Sequence, residues 1–291
     1  MPDLRLQIDP NAVLSAEPTE WVASKFDLTR TLRPWMPAGF ERYVRVLHPA
    51  YVRVREEGVE VGEKAVPWST VSEWSGKSLH ATSHIGDLML RADGLDWNER
   101  EGERSVPRQG QMENKPLGRL LTHLAEETTR PNEIWMLIWT GYGGPPDTVG
   151  LPVEVSSFLK GTGRQYVLRR GSISSSLDVP DGAAFENPPT FWWPDDRSWF
   201  VVCDIDASST YVGGSDKLIQ RILGDTSLEV FPAQLDDPFE GYYVSPPNSA
   251  TVNPRIRFST RLRHYLLFFR FRFRHRPSSG QMLYRKKRFW E

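Results

Sequence analysis

The sequence predicts an α+β fold: a mostly antiparallel sheet of about five to seven strands, with two or three short helices packed on one face. Three observations predict it. Short apolar runs rich in β-branched and aromatic residues recur from Phe40 to Phe231, bounded by Gly, Pro and Asp. Helical spacing appears in few places, and each stretch is short. Strand-like runs follow one another without a helix between each pair, which argues against a doubly wound parallel sheet.

Taken in order, Leu4, Leu6 and Ile8 alternate with polar residues as a half-buried strand does. Residues 10–39 hold four prolines and read as loop, with a short helix near Glu20–Ser24. Phe40 to Val54 is strand-like, and Pro49 splits it into two strands or kinks one. His48, beside that break, reads as a structural strand-end histidine. Ser69 suits the cap of a helix running through Trp74, with Gly76 as its stop. His80 and His84 are four apart, so on a helix they share a face and have the spacing of a metal pair, with Asp87 as a third ligand. The zincin glutamate is missing between them, and such pairs are frequent without a metal. Asp93 to Asn114 is a charged loop of the length that is either functional or disordered.

Pro116 opens an amphipathic helix whose stripe is Leu117, Leu120, Leu121, Leu124 and Ala125, with His123 at the edge. Ile134–Trp139 is continuously apolar, as a central strand is. The following Gly141-Tyr142-Gly143-Gly144-Pro145-Pro146 lacks dinucleotide-fingerprint spacing, and Tyr142 is a candidate pocket residue. Residues 153–159 and 165–170 read as a hairpin around Gly161-Thr162-Gly163. Gly171 to Pro189 reads as loop.

The densest signal lies from Phe191 to Ser215. Trp199–Ile205 reads as a largely buried strand, and Gly213-Gly214 as a turn of unusual backbone angles. Ser215 is an N-cap and Asp216 suits the positive end of a helix, followed by Leu218, Ile219, Ile222 and Leu223 at helical spacing. Gly224 fits the position just past its end. Asp204 and Asp206, two apart, face one side of a regular strand and with Asp196 would offer oxygen ligands to a divalent metal. The plainer reading is solvated charges at a strand end, with Asp195 or Asp196 pairing Arg197. Trp192 and Trp193, if exposed, would be interface anchors, with Arg197, Gly213 and Gly214 nearby. Gly213-Gly214-Ser215 could cradle an anion at the helix start, but Asp216 would repel a phosphate. Cys203, the single cysteine, rules out an internal disulfide and reads as packing rather than as a nucleophile.

The pattern Trp193-Pro194-x-Asp196-Arg197-x-Trp199, then Asp204-x-Asp206, then Val212-Gly213-Gly214-Ser215, resembles a group of uncharacterised proteins of actinomycete-type bacteria. Tyr43 to His48-Pro49-Ala50, Trp68 and Leu79-His80 resemble their N-terminal part. The resemblance loosely spans the residues up to position 240 and implies a bacterial, soluble protein. The group has no established activity, so no catalytic residue is carried over.

Leu228–Phe231 is the last strand of the body, and the composition changes near 240–254, dividing a single α+β domain (1–250) from a tail (251–291). The tail holds 12 basic side chains and one acid, a net charge of +11, which leaves −12 for residues 1–250. Arg270, Arg272, Arg274 and Arg276 alternate with aromatics, and Arg285, Lys286, Lys287 and Arg288 form a cluster. Nucleic acid or an anionic surface is the partner such a tail fits. Two other readings are an added strand and an aberrant C-terminus such as a shifted reading frame; the last is favoured by the abrupt change in composition. The start Met1-Pro2-Asp3 lacks the charged and apolar regions of a signal peptide, and no stretch of about 18 apolar residues exists to span a membrane, so a cytoplasmic location is expected. The leading expectation is a non-catalytic binding or interaction domain with a protein partner and no cofactor, with bacterial immunity proteins as a fold-level analogy. The alternatives are a metal-dependent hydrolase using Asp196, Asp204 and Asp206, and an anion-binding protein acting through the tail.

Overall fold

Two apolar faces, not one, organise the strands of this protein. Its computed structural model describes residues 19, 21–22, 30–57, 59–89, 104–105, 107–139, 141, 164, 166–173 and 189–240. The chain divides into two units, Met1–Val244 and Ser245–Glu291, and every described residue lies in the first. The strand expected at Leu4–Ile8, the helix near Glu20–Ser24, the first half of the hairpin at 153–159, Tyr142 and all the tail arginines and lysines lie wholly or largely outside the described residues.

The elements in order are β1 (Arg42–Leu47), β2 (Ala50–Glu56), β3 (Val59–Val66), α1 (Trp68–Ser75), α2 (Ile85–Met89), β4 (Arg104–Ser105), α3 (Asn114–Glu127), β5 (Ile134–Trp139), β6 (Tyr166–Gly171), β7 (Pro189–Pro194), β8 (Trp199–Val202), β9 (Ser209–Gly214), α4 (Asp216–Leu223) and β10 (Val230–Ala233). Seven strands form one sheet in the order β10-β1-β9-β8-β7-β5-β6, every described pairing antiparallel. The fold is α+β. A second, three-stranded sheet, β3-β2-β4, was not expected: Pro49 does separate two strands, and they join different sheets.

Alternation assigns side chains to the two faces of the large sheet. On one face Val44, Val46, Ile134, Met136, Trp192, Trp199, Val201 and Val212 meet Leu117, Leu120, Leu121 and Leu124 of α3 and Leu218, Ile219 and Ile222 of α4. On the other, Trp135, Leu137, Phe191, Trp193, Phe200 and Val202 meet Leu32, Trp35, Met36 and Phe239 from irregular segments. Trp35 stacks on Phe239 at 4.5 Å and 18°. Thus the segment around residues 30–36, expected as loop, packs on this second sheet face. Its backbone is held by Leu32 N–H to Asp237 O and Phe239 N–H to Arg30 O, both 2.9 Å. A third cluster joins Leu47, Ala50 and Val66 to Trp68, Val71, Ile85, Leu88 and Met89 beneath α1 and α2.

Several local features differ from what the sequence predicts. Helix α1 starts at Trp68 with Pro67, not Ser69, in the N-cap position. Its free N–H groups at Trp68 and Ser69 donate to the Glu229 carboxylate at 2.5 and 2.8 Å, a cap that comes from the segment before β10. Gly76 ends it in the left-handed conformation expected of it. Gly213 and Gly214 lie inside β9 and are not a turn. A Cβ at Gly213 would come within 2.7 Å of the Phe40 ring, so the glycine is required by close packing. Ser215 does cap α4, accepting from Leu218 N–H at 3.1 Å, whereas Gly224 closes the helix in a right-handed conformation.

Candidate functional site

Strand β8 has polar groups at both ends, and the acidic residues singled out in the sequence divide between them. At its start, the turn after β7 holds Asp195, Asp196 and Arg197. Asp196 accepts hydrogen bonds from Thr128 Oγ1 at 2.9 Å, from Thr129 N–H and Oγ1 at 2.7 and 2.8 Å, and from Ser198 N–H at 3.1 Å. Burial works to raise its pKa, but the hydrogen bonds from Thr129 and Ser198 win and lower it to about 2. Asp196 therefore ties α3's exit to the β7–β8 turn. Asp195 accepts from Trp135 Nε1 at 2.9 Å rather than pairing with Arg197. Arg197 adopts φ 54° and lays its guanidinium 5.1 Å from the Trp21 ring.

At the other end β8 stops at Val202, three residues before the expected end at Ile205, so Asp204 and Asp206 are not on a strand. Asp206 N–H donates to Asp204 Oδ1 at 3.1 Å, and Ala207 N–H to the Asp204 carbonyl at 3.0 Å, a local turn. Arg164 bridges both carboxylates, through Nη1 to Asp204 and through Nη2 to Asp206 at 2.7 Å. Burial pushes the Asp204 carboxyl above its ordinary range, with Arg164 acting against the shift. The four residues of β8, about 13 Å at 3.3 Å per residue, separate this pair from Asp196. The proposed three-carboxylate cluster is therefore not assembled. Among the described residues no group of three or more His, Cys, Asp and Glu could hold a metal.

The histidine pair does not form on a helix either. His80 is exposed in the loop before α2, and His84 stands at the start of α2, where its Nδ1 accepts from Gly86 N–H at 3.2 Å. Trp192 and Trp193 are 3% and 1% exposed and belong to the two opposite cores. Trp193 stacks on Phe200 at 5.6 Å, and Trp192 meets Trp199 edge-on at 5.6 Å. Neither is an exposed anchor.

The sequence did not single out the buried polar cluster beside the β8–β9 turn. His48, at the end of β1, is 1% exposed. Its Nδ1–H donates to the Arg108 carbonyl at 3.0 Å, which leaves Nε2 to accept from Thr210 Oγ1–H at 2.9 Å. Cys203 Sγ is 3.9 Å from the same nitrogen. A cavity of about 20 Å³, the scale of one water molecule, lies between Gly110, Met112, Trp192, Cys203 and Thr210. Burial lowers the His48 pKa to about 4 and raises that of the Cys203 thiol to about 12. A catalytic cysteine needs the reverse, a thiolate beside an imidazolium. Cys203 is buried, as its place in an apolar run predicted.

Arg45 lies nearby, on the face of β1 opposite Val44 and Val46. It donates from Nε to Ser209 Oγ at 2.9 Å and from Nη1 to the carbonyls of Ala81 and Ser83 at 2.8 Å each. Its Nη2 is 3.2 Å from Glu240 Oε2, with both side chains under 5% exposed. Trp68 and Tyr211 flank the guanidinium at 5.3 and 5.9 Å. Glu240 Oε2 also accepts from Ser209 Oγ at 2.7 Å and Ser208 N–H at 3.1 Å. The hint in the sequence was one charged residue between two valines in an apolar strand.

Of the four large hydrophobic side chains that reach solvent among the described residues, three lie on the β2–β3 hairpin, Val54 at 38% exposed, Val59 at 66% and Val61 at 53%; the fourth is Trp74 of α1. Among the described residues β3 pairs only with β2. The register aligns Val54 with Gly62, Val52 with Lys64 and Glu56 with Val59, and leaves Val61 as an extra residue in a bulge. Ala50, Val52, Val54 and Glu56 thus share a face with Val66, Lys64, Gly62 and Val59. The inner part of this face is packed in the α1–α2 core, and its outer part is open.

Comparison with protein-family models, with curated proteins and with solved structures returns no match.

Proposed function

We propose that the body of this protein is a non-catalytic interaction domain whose contact surface is the outer face of the β2–β3 hairpin. The observation that carries the reading is the apolar face that runs out of the α1–α2 core and continues uncovered through Val54 and Val59. Valines exposed together on a short hairpin supply strand propensity but cost solubility, and an apolar face continuous with a core is what a contact surface needs. The engagement of the chemically conspicuous groups supports the same reading. Asp204 and Asp206 are both engaged by Arg164, Asp196 accepts four hydrogen bonds, and Cys203 and His48 are buried. The analogy with bacterial immunity proteins rests only on class and on the acidity of residues 1–250.

The test is a photo-crosslinking side chain at position 59 in cells making the protein. A defined adduct is expected, and Val54→Asp should remove it while leaving the melting temperature unchanged. A melting temperature that falls by many degrees with Val54→Asp, or the absence of any adduct, would overturn the reading.

A further inference from the structure

The outer hairpin face carries its own complement. Around the central Val54–Gly62 pair, Lys64 lies one step toward the core, and Glu56 lies one step toward the tip beside Val59. Lys64 and Glu56 are both exposed, and neither side chain has a hydrogen bond or ion pair among the described residues. Consider a second hairpin laid face to face, with a two-fold axis running across the strands through Val54 and Gly62. Val54 then meets Val54 of the other copy. Each Lys64 stem lies over the other copy's Val59, a way for a lysine to cover apolar surface while its ammonium reaches out. That ammonium reaches the Glu56 paired in register with the same Val59. The operation repeats the contact in reverse, as an isologous interface requires.

We propose, resting on the interaction-domain reading above, that the partner of this face is a second copy of the chain. The apolar contact is small beside the roughly 1,200–2,000 Å² of a stable complex, so the dimer is weak and depends on concentration. The bulge at Val61 blunts the outer edge of β3, which favours face-to-face packing over strand addition.

The experiment is sedimentation of the full chain over a range of concentrations, with Glu56→Lys and Lys64→Glu. Wild type is expected to pass from monomer to dimer, and each variant to associate at least about tenfold more weakly, because like charges then meet twice. Mixing the two variants restores opposite charges at both contacts, so a mixed dimer is expected. This recovery also shows that both variants are folded. A wild-type dimer that both single variants retain, or variants that stay monomeric when mixed, would overturn the proposal. Were wild type monomeric at every concentration while the position-59 adduct to another protein persists, self-association would fall and the interaction-domain reading would stand.

Discussion

Trp192 and Trp193 are adjacent in sequence and buried in different cores, and the difference follows from alternation alone. What the sequence could not reveal is that the second face is covered as well, by Trp35, Met36 and Phe239 from segments without periodicity. Without that cover an exposed tryptophan was a fair expectation. Trp192→Ala should therefore destabilise the fold by about 3–5 kcal/mol, the usual cost of removing a buried aromatic. Chemical denaturation checks this, and a change below about 1 kcal/mol would mean that Trp192 is not in the core. Asp204 and Asp206 failed as a strand pair for a similar reason. Their spacing was read correctly, but the strand ends before them, and Arg164 comes from 40 residues away in the chain. Gly213 was recognised as necessary but for the wrong physical cause: it admits the Phe40 ring rather than a turn.

Among the elements, the helices were the most legible, because their apolar spacing and end signals are local. The leucine stripe of α3 and the Ser215 cap of α4 are where the sequence placed them. Helix α1 shows the limit of local signals. Ser69 looked like a cap, yet the N-terminus begins after Pro67 and is closed by Glu229, 160 residues away. A carboxylate at a helix N-terminus accepts from free N–H groups and meets the positive end of the dipole. Glu229→Ala should cost about 1 kcal/mol, in the range of lost N-caps, and Glu229→Gln less, because the amide oxygen still accepts. Urea denaturation of both variants is the check; equal, negligible losses would mean that the cap contributes nothing. Strand β2 was legible in the run that ends at Val54, but β3 and the separate sheet were not, since nothing local in Pro49 says to which neighbour each half will pair.

For the whole molecule, the buried ionisable groups set how stability responds to acid. Burial holds the folded His48 at about 4, below the 6.5 of a free histidine. Between those values the unfolded chain binds more protons than the folded one. The stability His48 confers is thus complete above pH 6.5 and is lost as pH falls toward 4, up to on the order of 3 kcal/mol. Asp204, raised by burial, acts with the opposite sign at low pH, and Arg45 and Glu240 bracket the same region. The informative readout is therefore a difference: denaturation midpoints from pH 7 to 4 should fall more steeply in wild type than in His48→Gln. Parallel pH profiles would contradict a neutral, buried His48. The overall class was legible because antiparallel strands and short helices leave local marks. The strand order was not, because it depends on long-range pairing.

Among the described strands β1 is the earliest of the large sheet, yet both of its neighbours, β9 and β10, are the latest to be made. During synthesis its edges must wait until Ala233 has left the ribosome before the ladder can close. At 5–20 residues per second that is a delay of roughly ten to forty seconds. Arg45 gains Ser209 and His48 gains Thr210 only once β9 is made, and Glu240 follows later still, so the polar cluster is assembled late. The folding rate of such a chain is governed by closing long loops rather than by forming its helices, and its slow phase should be a property of the sheet.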